Sequence, residues 1–134
     1  MDTMHIVDML SDKKYQPIAS AIDEEKIDAM ISVVSLTELI KILGSHDIKK
    51  TQATIRDLKS SKIEIEPLDT TIAEQAGYLR LDYNIPAADS LIGATGIVCN
   101  AEHILTDDTH FDTLKNLIKP ITPAKLTKMI RKIS

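Results

Sequence analysis

Four acidic side chains of this 134-residue chain fall where extended apolar runs give way to helices or loops; they are Asp2, Glu38, Asp89 and Asp108. Ligands of parallel sheets bind beyond the carboxyl ends of the strands, so acids at those points can gather in one cleft. Carboxylate oxygens are hard ligands that suit divalent cations such as Mg²⁺ and Mn²⁺. Cations held in this way can drive phosphodiester hydrolysis, which is the first chemistry that the sequence indicates.

Two of these acids also have a structural explanation. Ser35 and Glu38 have the spacing of a capping box, in which a Ser at the helix cap is followed three residues later by Glu. Glu38 can have this capping role and still direct its carboxylate toward the cleft. Asp89 suits a first helical turn because of the helix dipole. Its neighbours are small or apolar, however, and a charge among them is costly unless it is paired or binds a metal. We therefore favour a functional role for Asp89.

A pair of acids, Asp107 and Asp108, follows the short apolar run that ends at Thr106. Asp is common in turns and at helix caps, which is the structural explanation for the pair. Two adjacent acids beside a Thr hydroxyl are more than a turn requires. Only one of them can easily face the cleft.

The elements that must position these acids alternate between strands and helices. The predicted strands are residues 29–34 (AMISVV), 63–65, 103–106 (HILT) and 117–121, and the predicted helices are residues 4–11, 17–26, 35–43, 47–60, 69–83, 86–99 and a last one that begins at Thr122-Pro123. Such alternation implies parallel strands joined by crossovers. We expect one domain over residues 1–134, a three-layer α/β/α fold with a short, mostly parallel central sheet.

Composition excludes some classes of protein. Three Tyr, one Phe and no Trp are too few for a module that stacks single-stranded bases on aromatic rings. A net charge of −4 argues against nucleic-acid binding through a broad basic surface, although bound cations would bring their own positive charge. A lone Cys99, no apolar run long enough for a membrane span and no signal peptide lead us to expect a cytoplasmic protein.

The four histidines do not have the spacing of a zinc site, such as a pair at i and i+4 on one helix; they are His5, His46, His103 and His110. We expect each of them to lie on the surface or in ordinary, partly buried packing. No glycine-rich phosphate-binding loop is present either.

Four segments, taken in order, resemble the motifs of the PIN domain, particularly of VapC-type toxins from prokaryotic toxin–antitoxin pairs. They are residues 2–10 (DTMHIVDML), 33–39 (VVSLTEL), 85–95 (IPAADSLIGAT) and 104–111 (ILTDDTHF). The first resembles the Asp-Thr opening of the family, and the last its Leu-x-Thr-x-Asp-x-x-Phe segment. In that register, Asp108 is the family carboxylate and Asp107 its variable neighbour.

The resemblance implies a Mg²⁺- or Mn²⁺-dependent endoribonuclease. Its catalytic and metal-binding residues would be Asp2, Glu38, Asp89 and Asp108, with Ser35, Thr106 and Asp107 as partners that orient them. It also implies an RNA substrate, a cognate antitoxin protein and a homodimer. The family's first strand precedes its Asp-Thr pair. Only Met1 precedes Asp2 here, so the first strand is expected to be truncated.

Three other interpretations stay open at this point. One is a catalytically silent PIN-like module that binds a protein partner. Another is a PIN nuclease of RNA processing that is not a toxin. The third is a phosphoacceptor domain of the receiver type, which ranks lower because its acidic pair would belong at the first strand, whereas the pair here follows a late one.

Overall fold

A computed structural model describes residues 5–7, as a strand, and residues 16–133. Over these residues the chain forms five strands and six α-helices, with one 3₁₀ helix. In chain order they are β1 (His5–Val7), α1 (Gln16–Asp23), β2 (Asp28–Ser32), α2 (Val33–Gly44), α3 (Ile48–Ser60), β3 (Glu64–Glu66), α4 (Thr70–Tyr83), α5 (Ala87–Val98), β4 (His103–Leu105), the 3₁₀ helix (Thr109–Leu114), β5 (Lys119–Ile121) and α6 (Pro123–Ile133).

The five strands form one parallel sheet in the order β3-β2-β1-β4-β5. The central strand is β1, in which Val7 pairs with Met30 of β2 on one side and with Ile104 of β4 on the other. Since all the strands run the same way, their carboxyl ends lie at one edge of the sheet. The predicted parallel sheet is confirmed.

Two apolar clusters cover the two faces of the sheet. Ala29 and Leu105 pack with buried residues of α1 and α6, whereas Met30 and Ile104 pack with buried residues of α4 and α5. Successive side chains of a strand point to opposite faces. Neighbours such as Ala29 and Met30 therefore join different clusters, and helices lie on both sides of the sheet. This confirms the three-layer α/β/α architecture.

The first strand is not where the sequence predicted it. Residues 4–11 were expected to form a short helix, and the first strand was expected ahead of Asp2; instead His5–Val7 is the strand β1. The spacing of apolar residues there resembles a helical pattern. Three residues are too few to show the alternation of a strand, and the pairing of β1 on both edges determines its conformation.

The capping box predicted at Ser35 and Glu38 is wrong, because α2 begins two residues earlier. Its N-cap is Ser32, whose Oγ accepts a hydrogen bond from the Val34 N–H at 3.2 Å. Ser35 and Glu38 therefore lie inside the helix. The sequence predicted a strand as far as Val34 because Val33 and Val34 are β-branched residues, which favour strands. Val34 packs against the cluster on the α5 face, and this packing outweighs the local preference.

The predicted starts of the helix over residues 69–83 and of the last helix at Thr122-Pro123 are confirmed. The Asp69 carboxylate accepts a hydrogen bond from the Ile72 N–H at 2.8 Å and so caps α4. The Thr122 hydroxyl accepts one from the Lys125 N–H at 3.3 Å at the start of α6. Among the described residues, no helix combines the length and apolar content that crossing a membrane requires.

Candidate metal centre

Three acids come together at the edge of the sheet where the strands end. Glu38 lies in α2, which follows β2 directly, and Asp108 lies three residues after the end of β4. Asp89 belongs to the first turn of α5, a helix that contacts β1, β2 and β4. Each acid reaches the site from a different element, and the parallel order of the strands brings these elements to one place.

The compact part of the site consists of Asp89, Asp108 and His110. The His110 Nδ1 atom lies 3.1 Å from Asp89 Oδ2 and 3.1 Å from Asp108 Oδ1. One ligand atom from each of the three residues lies within 4.8 Å of the other two. The side chain of Asp89 is the least exposed at 18%, whereas those of Asp108 and His110 are 43% and 55% exposed. The group therefore opens to solvent above a half-buried carboxylate.

The loop after β4 is fixed by hydrogen bonds of its own. The Asp108 N–H donates to Thr106 Oγ1 at 2.9 Å, and the His110 N–H donates to Asp108 Oδ1 at 2.9 Å. The Thr113 hydroxyl donates to the His110 carbonyl at 3.0 Å. Phe111, which follows His110, is buried in the core. These contacts hold Asp108 and His110 toward Asp89, and Thr106 acts on the site through the backbone of Asp108.

The negative charges of the carboxylates at the site repel one another. Burial raises the pKa of Asp89 above its ordinary value; the hydrogen bond with His110 opposes that rise, and the charge of Asp108 adds to it. Burial also raises the pKa of Glu38, and the charge of Asp89 raises it further. Glu38 is thus close enough to Asp89 for the two carboxylates to repel each other. Such repulsion is what a bound cation would relieve.

We expect the variant Glu38→Gln to be more stable than the wild type at pH 7 without metal. The folded state raises the pKa of Glu38, so it takes up a proton more readily than the unfolded state. The wild type therefore gains stability as the pH falls through the folded pKa, and the advantage of the variant shrinks. Melting temperatures in chelator at pH 7.5 and pH 5 measure this, with a difference of a few degrees expected at pH 7.5.

The control for that experiment is Glu74→Gln, which neutralises an exposed carboxylate on α4. It shows how much the loss of one exposed negative charge alone changes the melting temperature at each pH. An advantage of Glu38→Gln that does not depend on pH would contradict the expected repulsion. Saturating Mn²⁺ should reverse the order of the wild type and Glu38→Gln, because the wild type alone keeps the full set of carboxylates.

Ser35 lies one turn before Glu38 on α2 and is 1% exposed. Its hydroxyl oxygen has no hydrogen-bond partner among the described residues. Buried polar groups are nearly always paired. This buried hydroxyl, one helical turn before Glu38, is thus a hydrogen-bonding group that no described residue uses.

Not every predicted site residue joins this group. Asp89 and Asp108 lie together, and Glu38 is near enough to affect Asp89 without belonging to the compact group. Asp107 is exposed and also lies outside the group. Asp2 lies outside the described residues.

One residue of the compact group was not predicted as a site residue. His110 was expected in ordinary surface packing, yet it lies between Asp89 and Asp108; only its position two residues after Asp108 could have signalled this. Asp8, which lies outside the described residues, was not among the predicted site residues. Because β1 ends at Val7, Asp8 is the residue that follows the central strand in the chain, while Asp2 precedes it. A strand prediction for residues 5–7 would have placed Asp8, and not Asp2, directly after the first strand in the chain.

Comparison with known proteins gives one family. The sequence model described as PIN domain matches residues 1–117 of the chain. No curated protein matches the chain.

Similar solved structures share the fold at low sequence identity. VapBC-1 from nontypeable Haemophilus influenzae has a TM-score of 0.71 and 16% identity, covering 92% of this chain and 100% of that chain. DNA-bound VapBC from Salmonella typhimurium has a TM-score of 0.70 and 15% identity, covering 91% of this chain and 99% of that chain. A toxin–antitoxin complex from Klebsiella pneumoniae has a TM-score of 0.67 and 20% identity, covering 89% of this chain and 97% of that chain.

Proposed function

This chain belongs to the PIN domain family, and we propose that it is a divalent-metal-dependent endoribonuclease, the toxin of a toxin–antitoxin pair. The observation that carries the proposal is the grouping of Asp89 and Asp108 around one point at the carboxyl edge of the sheet, with Glu38 in electrostatic reach. We also propose that the substrate is RNA and that the protein acts in the cytoplasm. Both parts rest on the family and on the sequence motifs.

The donor set fits a hard divalent cation. Asp89, Asp108 and Glu38 offer carboxylate oxygens, which Mg²⁺ and Mn²⁺ accept readily. Their mutual repulsion favours a positive ion between them. The half-buried position of Asp89 reduces screening by solvent and strengthens that preference.

The protein residues have separate tasks in this proposal. Asp89, Asp108 and Glu38 hold the cation, directly or through water. Thr106 fixes the backbone of Asp108. The Ser35 hydroxyl, which has no partner among the described residues, can orient Glu38 or a water molecule. When bound, the cation supplies activation of a water nucleophile and stabilisation of the charge that develops on the phosphate and the leaving oxygen.

We propose Asp8, in place of Asp2, as the remaining carboxylate of the site. The central strand β1 lies between β2, which leads to Glu38, and β4, which leads to Asp108. The residue that follows β1 in the chain is Asp8. Ligands of parallel sheets bind at the carboxyl ends of the strands, so chain order favours Asp8.

The proposed partners follow from the same family. The similar structure from Klebsiella pneumoniae is a toxin–antitoxin complex, and we propose a cognate antitoxin for this chain. A segment of that protein would cover the acids, and an Arg or Lys inserted among them would neutralise their charge. A homodimer of the toxin belongs to the proposal as well.

Purified protein is expected to cleave RNA only when a divalent cation is present. Incubation of labelled single-stranded and structured RNAs with millimolar Mn²⁺ or Mg²⁺ should give discrete fragments, and excess EDTA should abolish them. In the absence of RNA, Mn²⁺ at 100 times its dissociation constant should stabilise the fold by about 2.7 kcal/mol. Cleavage that persists in EDTA would contradict the proposal, and so would a melting temperature that millimolar Mn²⁺ does not change.

A further inference from the structure

We propose that His110 supplies an imidazole nitrogen to the bound cation, so that the site carries a mixed oxygen and nitrogen ligand set and favours transition-metal cations over Mg²⁺. The inference rests on the proposed function, because it concerns the same site. It adds a ligand that the carboxylate motifs do not contain, and it specifies which cations the site selects.

The distances around His110 match those between neighbouring ligands of one ion. Its Nδ1 atom lies 3.1 Å from Asp89 Oδ2 and 3.1 Å from Asp108 Oδ1. Ligand atoms about 2.1 Å from an ion in octahedral geometry are about 3.0 Å apart when they occupy adjacent positions. The nitrogen therefore has the spacing of a third ligand beside the two carboxylate oxygens. Binding of the cation would replace the hydrogen bond between Nδ1 and Asp89 and release its proton to solvent.

The backbone holds His110 in this place. Its N–H donates to Asp108 Oδ1 at 2.9 Å, and its carbonyl accepts from the Thr113 hydroxyl at 3.0 Å. The next residue, Phe111, is buried in the core and anchors the 3₁₀ helix. The backbone of His110 is thus fixed on both sides of the residue, and the contacts of Nδ1 with Asp89 and Asp108 place the ring beside the acids.

The chemistry of imidazole gives the selectivity. Mg²⁺ prefers oxygen ligands and keeps several waters, whereas imidazole nitrogen suits transition-metal cations. A carboxylate site gains little affinity for Mg²⁺ from a nearby imidazole. The same imidazole should strengthen the binding of Mn²⁺, and more so of Co²⁺, which binds nitrogen-containing sites more tightly.

Electron paramagnetic resonance of Mn²⁺ bound to the full chain, after removal of metals with chelator, tests this directly. The spin-echo modulation of the wild type should contain a coupling to ¹⁴N of imidazole, and His110→Asn should lose it.

The dissociation constant for Mn²⁺ should rise about tenfold or more in His110→Asn. The dissociation constant for Mg²⁺, measured by competition with Mn²⁺, should change less than about threefold. His46→Asn, which alters an exposed histidine between α2 and α3, is the matched control and should behave like the wild type.

The possible results separate this inference from the proposed function. Bound Mn²⁺ without a ¹⁴N coupling in the wild type would overturn the role of His110 and leave the carboxylate site standing. The role of His110 would also be overturned if His110→Asn weakened the binding of Mn²⁺ and of Mg²⁺ equally. A wild type that binds no Mn²⁺ at millimolar concentration, or an Asp89→Asn variant that binds it equally well, would overturn both. The wild-type spectrum alone is decisive even if a variant folds poorly.

Discussion

Replacing Asp89 by Asn is expected to reduce RNA cleavage at least about a thousandfold, which corresponds to about 4 kcal/mol of transition-state stabilisation. The substitution keeps the size of the side chain and removes its charge. Asp89 is central to the site, because its carboxylate lies 3.1 Å from His110 Nδ1 and its charge raises the pKa of Glu38. Without it, Asp108 and Glu38 would hold a cation weakly. Single-turnover cleavage of a labelled RNA at saturating Mn²⁺ measures the loss.

The same variant should melt at a higher temperature than the wild type in EDTA. It removes a half-buried carboxylate whose charged form is disfavoured by burial and by Asp108. Asp82→Asn, which neutralises an exposed acid on α4, is the control and should leave cleavage unchanged. If Asp89→Asn kept even one tenth of wild-type cleavage, the reaction would have to take place at another site. A silent module that binds a protein partner would keep that partner in both variants.

Asp8→Asn is expected to be as damaging to cleavage as Asp89→Asn, whereas Asp2→Asn should retain activity within about threefold of the wild type. Chain order is the reason: β1 ends at Val7, so Asp8 follows the central strand and Asp2 precedes it. The two variants make the same chemical change six positions apart. They should be compared in the same single-turnover assay.

The binding of Mn²⁺ provides a second measurement for this pair. Asp8→Asn should raise the dissociation constant for Mn²⁺ about tenfold or more, and Asp2→Asn should not. Loss of cleavage in Asp2→Asn together with full activity in Asp8→Asn would restore the interpretation drawn from the Asp-Thr motif. Circular dichroism of both variants separates loss of the site from loss of the fold.

The sequence by itself determined much of this protein. The alternation of apolar runs and helical segments gave the three-layer fold, and the caps at Asp69 and Thr122 placed two helices correctly. It also singled out Asp89 and Asp108, which the structure brings together. These features depend on residues within one or two helical turns of each other, or on the general rule that parallel strands end at the same edge.

Only the tertiary structure decided three further points. His5–Val7 is a strand because β2 and β4 pair with it on both sides, although its own three residues carry no clear pattern. The start of α2 at Val33 depends on packing against the α5 face of the sheet. The place of His110 between two acids depends on a loop and a helix that are 21 residues apart. Each depends on contacts between distant segments, which the pattern of neighbouring residues does not specify.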